Sequence, residues 1–433
     1  MTTQEPPKTV IEEQLGPVEA AHTPAGLPDP VRSRRIYSRE VILIVCVVLL
    51  LLMFGVTAFV SRQYHKKIHG LADQWFAQGE ASFQSQHYSD AVSEFRNALV
   101  YSPNDSDFQF HLAQALASAG EGDQARSYLL NLLSESPGSG QINLALARIA
   151  AHEGAESDAV GYYQRAIYGV WEQNPLAMRW QVRRELGEYL LNLHAVNEAE
   201  PVLIALASEV PPGDADRLKV VGGLTLRAGL WQRALDSYRS VLKFNPRDED
   251  ALAGAGAAAY QLGKYQLAID YIQQLSPERR VDPRIATILQ TAREVESADP
   301  FASGISSAER AHRTVLALNQ AESRLADCAH SKGISLSSTP ADTDLQKLYA
   351  TSLQMSAEWS EANLRRYSVR SVAAMSLVFQ MEDAAAAACG PPHPGPDSTI
   401  WLIARNSAGM PTSAAIAPDA AAGTGTPTGG DQP

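Results

Sequence analysis

YSDAVSEFRNALVYSPND, residues Tyr88 to Asp105, reads as a helix closed by Pro103. Its residues alternate in size. Ala91 and Ala98 are small where a buried helix has room for bulk, and Phe95 between them is large. One isolated helix has no use for such alternation, but a helix packed against successive partners does. The pattern returns at a fixed distance: the step from Ala91 to Ala125 equals the step from Ala125 to Ala159. The steps from Pro103 to Pro137 and from Gly120 to Gly154 are the same again. A period of about 34 residues marks an array of repeats, and it has to be settled before any other fold reading.

Six segments carry the pattern. The first, from about Ala72 to Asp105, has Trp75, Gly79, Tyr88, Ala91, Phe95, Ala98 and Pro103. The second has Leu112, Ala113, Gly120, Ala125, Leu129, Leu132 and Pro137. The third has Leu146, Ala147, Gly154, Ala159, Tyr163 and Ala166, with its proline displaced to Pro175, so an insertion is expected near Val170 to Arg179. The fourth has Leu186, Gly187, Ala199, Leu203, Leu206 and Pro211. The fifth has Gly222, Gly229, Trp231, Ala234, Tyr238 and Pro246, and the sixth Gly256, Gly263, Tyr265, Ala268, Ile272 and Leu275. This pattern resembles the tetratricopeptide repeat (TPR), a unit of two antiparallel helices, and covers residues 72–280, about half the chain. The resemblance implies an all-α, TPR-type helical-hairpin solenoid.

The size alternation then has a physical reason. Gly79 and Ala91 let the two helices of one unit approach closely, and Phe95 fills the space beside them. Ala98 leaves room for the next unit. Pro103 cannot donate a backbone hydrogen bond and disfavours helix in the residue before it. Each unit has apolar surface that it cannot bury alone, and stacking hides it.

A second feature stands apart from the repeats. VILIVCVVLLLLMFGVTAFV, Val41 to Val60, holds no charged residue from end to end. As a helix it spans about 30 Å, the thickness of a bilayer core. It is read as a transmembrane helix. The alternative is a cleaved signal peptide, for which Val56-Thr57-Ala58 offers small residues. The apolar run is longer than a usual signal core, and all of residues 1–40 precede it. Residues 1–40 are expected to be disordered, with Pro6, Pro7, Pro17, Pro24, Pro28 and Pro30 and little to bury. Arg32, Arg34, Arg35 and Arg39 precede the apolar run, while Arg62, Lys66 and Lys67 follow it. The bias favours a cytoplasmic N-terminus and extracytoplasmic repeats, as in a bacterial inner-membrane protein.

Beyond the repeats, Asp282-Pro283 starts a helix over residues 281–298 that caps the array. A C-terminal helical region is expected over residues 306–389. Ser306 and Glu309 form its capping box, and Gly333 stops its first helix. Val315, Leu318, Leu325 and Cys328 share one face of that helix. Thr339, Pro340 and Asp342 open a second run to about Ala388, with Leu345, Leu348, Trp359, Leu364, Val372 and Met375 as its apolar residues. No Gly or Pro breaks that run, so one helix or two remain open. Residues 390–433 are expected to be a disordered tail, with IWLIA at Ile400 to Ala404 as a segment able to dock.

The chain carries no phosphate-binding glycine loop, GxSxG or HExxH. His111, His152 and His194 fall in different units without ligand spacing, and the three cysteines form no CxxC. No metal, cofactor, small-molecule substrate or catalytic residue is therefore expected, and the chain is not read as an enzyme. A net charge of -12 argues against nucleic-acid binding. Cys46 lies in the apolar run, which leaves Cys328 and Cys389 as the soluble pair. They are a disulfide candidate if residues 340–388 fold back once, and two free thiols otherwise.

What the resemblance implies is binding of protein partners. In TPR arrays the inner helices line a concave groove, and by that register it presents Phe76, Glu80, Phe83, Phe110, Gln114, Arg148, Glu188, Lys219 and Tyr260. TPR co-chaperones that hold acidic C-termini use a lysine and asparagines in fixed groove positions. Here the first-unit positions hold Phe76 and Glu80, so that clamp is absent. The expected function is a membrane-anchored scaffold or adaptor of the bacterial envelope, assisting translocation or complex assembly. The alternatives are a cytosol-facing receptor using the same groove and, further off, an enzyme with its activity in the C-terminal region.

Overall fold

The computed structural model describes residues 33–337, 341–393 and 398–407, and all its regular elements are helices. It divides into two compact units, Met1–Ala115 and Leu116–Pro433.

In the first unit, α1 (Ser33–Gln84) is one unbroken helix of 52 residues. The apolar run and the first helix of the first repeat are thus a single element. From Val41 to Val60 its large apolar side chains are exposed, and the helix is long and apolar enough to cross a membrane. It turns at Gln86 and packs antiparallel against α2 (Tyr88–Tyr101). Between them, Phe95 lies over Gly79. A Cβ on that glycine would stand 2.6 Å from the ring, so only glycine permits this approach. Helix α3 (Ser106–Ser118) follows, and its Phe108 shares a small core with Ala72 and Ala98.

The second unit continues the hairpins. They are built from α4 (Gly122–Glu135), α5 (Gly140–His152), α6 (Glu156–Tyr168), α7 (Pro175–Asn192), α8 (Val196–Ser208), α9 (Ala215–Arg227), α10 (Trp231–Phe244), α11 (Glu249–Gln261) and α12 (Tyr265–Gln273). The small-against-large contact recurs: Gly187 faces Leu203, Gly222 faces Tyr238, and Gly256 faces Ile272, each with no room for a Cβ. Between the helices of each hairpin one residue adopts positive φ. It is Gly154, Gly229 and Gly263 where the pattern is regular, and His194 (φ 57) after the insertion.

The insertion is divided in two. Part forms a turn after α6, where Val170 pairs with Ser139 in a parallel bridge: Val170 N–H donates to Gly138 O and Gly140 N–H to Val170 O. The Trp171 ring occupies the space beside Gly140 and its Nε1 donates to Ala166 O. The rest lengthens α7 to 18 residues, against 13 for α5, α9 and α11. Pro175 therefore opens α7 and does not close α6, because a proline at the first helical turn lacks only a donor that has no partner there.

After α13 (Pro277–Arg280), helix α14 (Pro283–Ala298) packs on α11 and α12, with Asp282 accepting from the Arg284 N–H at its start. Helix α15 (Ser307–Ser331) begins as expected at Ser306, whose hydroxyl accepts from Glu309 N–H, and Gly333 (φ 68) follows its end. Glu309 does not close the box; its carboxylate takes Arg313.

The long run after it is neither one helix nor two. It divides into α16 (Asp344–Met355), α17 (Glu361–Arg366) and α18 (Ser368–Cys389). Its start is the capping box of Thr343 and Gln346, while Thr339 and Pro340 lie outside the described residues. Val372, expected to be apolar core, is exposed; Leu345, Trp359, Leu364 and Met375 are buried. Helix α18 is also long and apolar enough to span a membrane, but its Met375, Val378 and Met381 are fully buried against protein.

The expected disorder at the two ends needs correction. Residues 33–40 are helical, as the start of α1, and residues 399–407 form α19 (Thr399–Ser407). Ile400 to Ala404 are each at most 3 % exposed, and α19 packs on α14, α15 and α18. A helix apolar on every side is stable in water only when enclosed. Residues 1–32, 394–397 and 408–433 lie outside the described residues. The fifth and sixth repeats, α14, α15, α18 and α19 share one continuous buried core.

Candidate functional site

The candidate residues arise from helix geometry. Phe76, Glu80 and Phe83 are spaced four and three apart on α1, so they lie along one face. All three are half-buried, which leaves part of each side chain open. Phe76 stacks on Phe108, with centroids 4.6 Å apart, and meets the His111 ring edge-on at 5.0 Å. Glu80 lies 3.6 Å from His111 Nε2. Phe83 meets Tyr88 edge-on. Gln114, half-buried, stands one repeat period after Glu80. Phe110 is only 7 % exposed, which removes it from the open surface.

In the second unit, the surface of the inner helices is charged, and Arg148, Glu188 and Lys219 each have a partner. Arg148 on α5 donates through two nitrogens to the two oxygens of Glu185 on α7, both at 2.8 Å. Tyr163 Oη donates to the same carboxylate at 2.9 Å. Burial pushes the Glu185 carboxyl up, but Arg148, Tyr163 and Arg184 together outweigh it and hold it below its ordinary value. Burial, then the Glu185 carboxylate, push the Tyr163 hydroxyl up, so it donates as a neutral group. Glu188 accepts from Arg184 at 3.3 Å on its own helix. Lys219 on α9 lies 3.3 Å from Asp248 and 3.5 Å from Asp216.

Tyr260 is 2 % exposed and packs against Tyr265, and burial raises its hydroxyl to about 12. It is a core residue and offers no surface. Helix register alone placed it in the groove, but α14 covers that end of α11.

Sequence reasoning missed His111 beside Phe76 and Glu80 in the first unit and, in the second, Glu185 as the partner of Arg148 and of the buried Tyr163. Glu185 stands 37 residues from Arg148, and the insertion between them hides the relation. The array is otherwise legible by period.

Cys328 and Cys389 are joined as a disulfide, with Cα atoms 5.9 Å apart. The fold that allows this keeps α15 and α18 parallel. Arg324 pairs with Glu382, Cys328 Sγ lies near Ala385 O, and Ser331 Oγ lies 3.6 Å from Cys389 Sγ, so contacts advance along both helices together. Among the described residues no group of three or more His, Cys, Asp or Glu is placed to hold a metal ion.

The helical hairpins, the small-against-large contact inside them and the period define an all-α fold of the TPR type. The tetratricopeptide repeat family model matches residues 82–149 and 225–291, and the chain carries these repeats. Solved structures with this fold include PilW, described as a widely conserved type IV pilus biogenesis factor. It is 17% identical, and the match covers 52% of this chain and 98% of that one with a TM-score of 0.37. Pseudomonas aeruginosa PilF is 15% identical over 52% of this chain and 98% of its own, with a TM-score of 0.37. YrrB, described as a TPR protein with an unusual peptide-binding site, is 17% identical over 46% of this chain and 97% of its own, with a TM-score of 0.36. These likenesses are of fold alone. No curated protein matches the chain.

Proposed function

We propose that this chain is a membrane-anchored scaffold of a bacterial envelope that binds protein partners through the inner helices of its repeats. The observation that carries the reading is the surface of those helices. Phe76, Glu80 and Phe83 on α1 and Arg148, Glu188 and Lys219 on α5, α7 and α9 remain at least partly open, while Ala72, Gly79, Ala147, Gly187 and Gly222 of the same helices are buried. Aromatic side chains bring large area at low entropic cost, and paired charges bring orientation.

The anchor is Val41 to Val60. Because α1 does not break, Ala72 stands about 18 Å along the helix from Val60, at 1.5 Å per residue. The first repeat is thus held close to the bilayer surface without a flexible linker. Arg32, Arg34, Arg35 and Arg39 place the N-terminus in the cytoplasm by the positive-inside rule and the repeats outside it. An extracytoplasmic compartment permits the Cys328–Cys389 bond. The second reading puts the same repeats in the cytosol as a receptor, and it is favoured by the near balance of Arg62, Lys66 and Lys67 on the other flank.

Two experiments test this. A reporter fused after Asp105 and active only in the cytoplasm would refute the leading topology. Photo-crosslinking amino acids at Phe83 and Lys219 should capture partners that one at Arg233, exposed on α10, does not. Equal capture from all three positions would count against the inner helices as the binding surface.

A further inference from the structure

We propose that the Cys328–Cys389 disulfide is a redox latch. In this reading a dithiol reductant opens it, and its opening releases the C-terminal helix α19 from the end of the repeat array.

The bond is asymmetric. Cys328 is 6 % exposed, with Sγ facing Ala385 O inside the core, whereas Cys389 is an exposed residue at the very end of α18. A thiolate from solvent therefore reaches the Cys389 sulfur. The attacking thiolate bonds to Cys389 Sγ, the disulfide breaks, and Cys328 departs as a thiolate that takes up a proton. The second thiolate of the reductant then attacks its own sulfur in the mixed disulfide and displaces Cys389. Two electrons pass from the dithiol, which ends as a disulfide, to the protein, which ends with two thiols.

The position of the bond gives this exchange a consequence. The last turns of α18 read Asp383-Ala384-Ala385-Ala386-Ala387-Ala388-Cys389. Alanines bury little area, so this segment has little hydrophobic hold on α15. The polar contact beneath it is Glu382, 1 % exposed, paired with Arg324. A buried ion pair loses in desolvation much of what it gains in attraction. Arg324 also donates to Gly390 O, at the turn (φ 90) where the chain leaves α18 toward α19. The disulfide is thus the strong tie at a weak junction. Helix α19 seats Trp401 and its apolar neighbours against α14, α15 and α18, and its Asn406 fills the space beside Gly263, in the turn of the sixth repeat. Loss of the tie frees the end of α18, and α19 opens with it as one cooperative unit. The face uncovered is the C-terminal end of the array, so redox state decides whether α19 covers it.

The proposal depends on the bond being formed in the protein's own compartment, and its tests keep that point separate. Mass spectrometry of the full chain isolated under thiol-blocking conditions reads the bond itself; blocked thiols at both positions would overturn the latch, whatever the fate of the scaffold reading. Hydrogen exchange of the full chain, oxidised and then reduced with dithiothreitol, reads the release. Amides of residues 383–389 and 399–407 should exchange at least tenfold faster after reduction, while those of α9 and α10 keep their rates. The Cys328→Ala/Cys389→Ala variant should match the reduced protein. Equal protection of α19 in both states overturns the proposal. A dithiol oxidoreductase lacking its resolving cysteine should be trapped on Cys389; trapping on Cys328 also overturns it.

Discussion

His194 is a histidine at a turn whose equivalents are Gly154, Gly229 and Gly263, and it holds φ 57 there. A non-glycine residue in that region is strained by about 1 kcal/mol or more. Its side chain is exposed. His194→Gly should therefore raise stability by about 0.5–1 kcal/mol, read as a higher urea midpoint with unchanged slope. Glu382 is a second informative side chain. Burial pushes its carboxyl up to about 7 against the pull of Arg324. A folded value above the unfolded one makes a contribution that is whole below the unfolded value, near 4.5, and lost as pH rises through 7. The stability of the parent protein relative to Glu382→Gln should fall between pH 5 and pH 8. A difference that stays flat across that window would show that Arg324 holds the carboxylate ionised throughout.

Where two successive hairpins meet, Tyr238 sits in a tight slot. Its ring lies between Gly222 on α9 and Gly254 on α11, and a Cβ on either glycine would overlap it. The tyrosine is 5 % exposed and cannot swing out without opening the core. Gly254→Ala should cost about 1–3 kcal/mol by overpacking, measured by thermal or urea unfolding. Ala125→Leu acts on the same principle at α4, where Ala125 has no exposed surface. Because repeats contact only their neighbours, hydrogen exchange should rise in α4 and α5 and stay unchanged in α11 and α12. A uniform rise across the repeats would contradict an array. The size alternation of Tyr88 to Asp105 was legible because the same contact recurs at a fixed period. The hairpin turn at His194 was not, since the insertion breaks the period and only the backbone reveals the shared conformation.

For the chain as a whole, the proposed membrane orientation rests on the charges that precede the apolar run. Replacing Arg32, Arg34, Arg35 and Arg39 with neutral residues removes the bias that retains the N-terminus inside. The share of molecules with a protease-accessible N-terminus in intact spheroplasts should then increase. No increase would mean that folding of the repeats, and not flank charge, sets topology.

The repeats, the apolar helix and the small-against-large packing were all written locally, in periods and runs that one chain displays without being folded. Pro103 ends its helix, and Gly79 meets Phe95, for reasons of backbone and bulk that hold in any such hairpin. The cysteine pairing was legible only as a condition, because it depended on whether residues 340–388 reversed. That reversal belongs to tertiary packing: no Gly or Pro encodes it, and Met375, Val378 and Met381 bury themselves by laying α18 along α15. The same holds for Tyr260 and for Ile400 to Ala404. Their burial comes from neighbours distant in sequence, α14 over one and α14, α15 and α18 over the other, and long-range burial leaves no period to read.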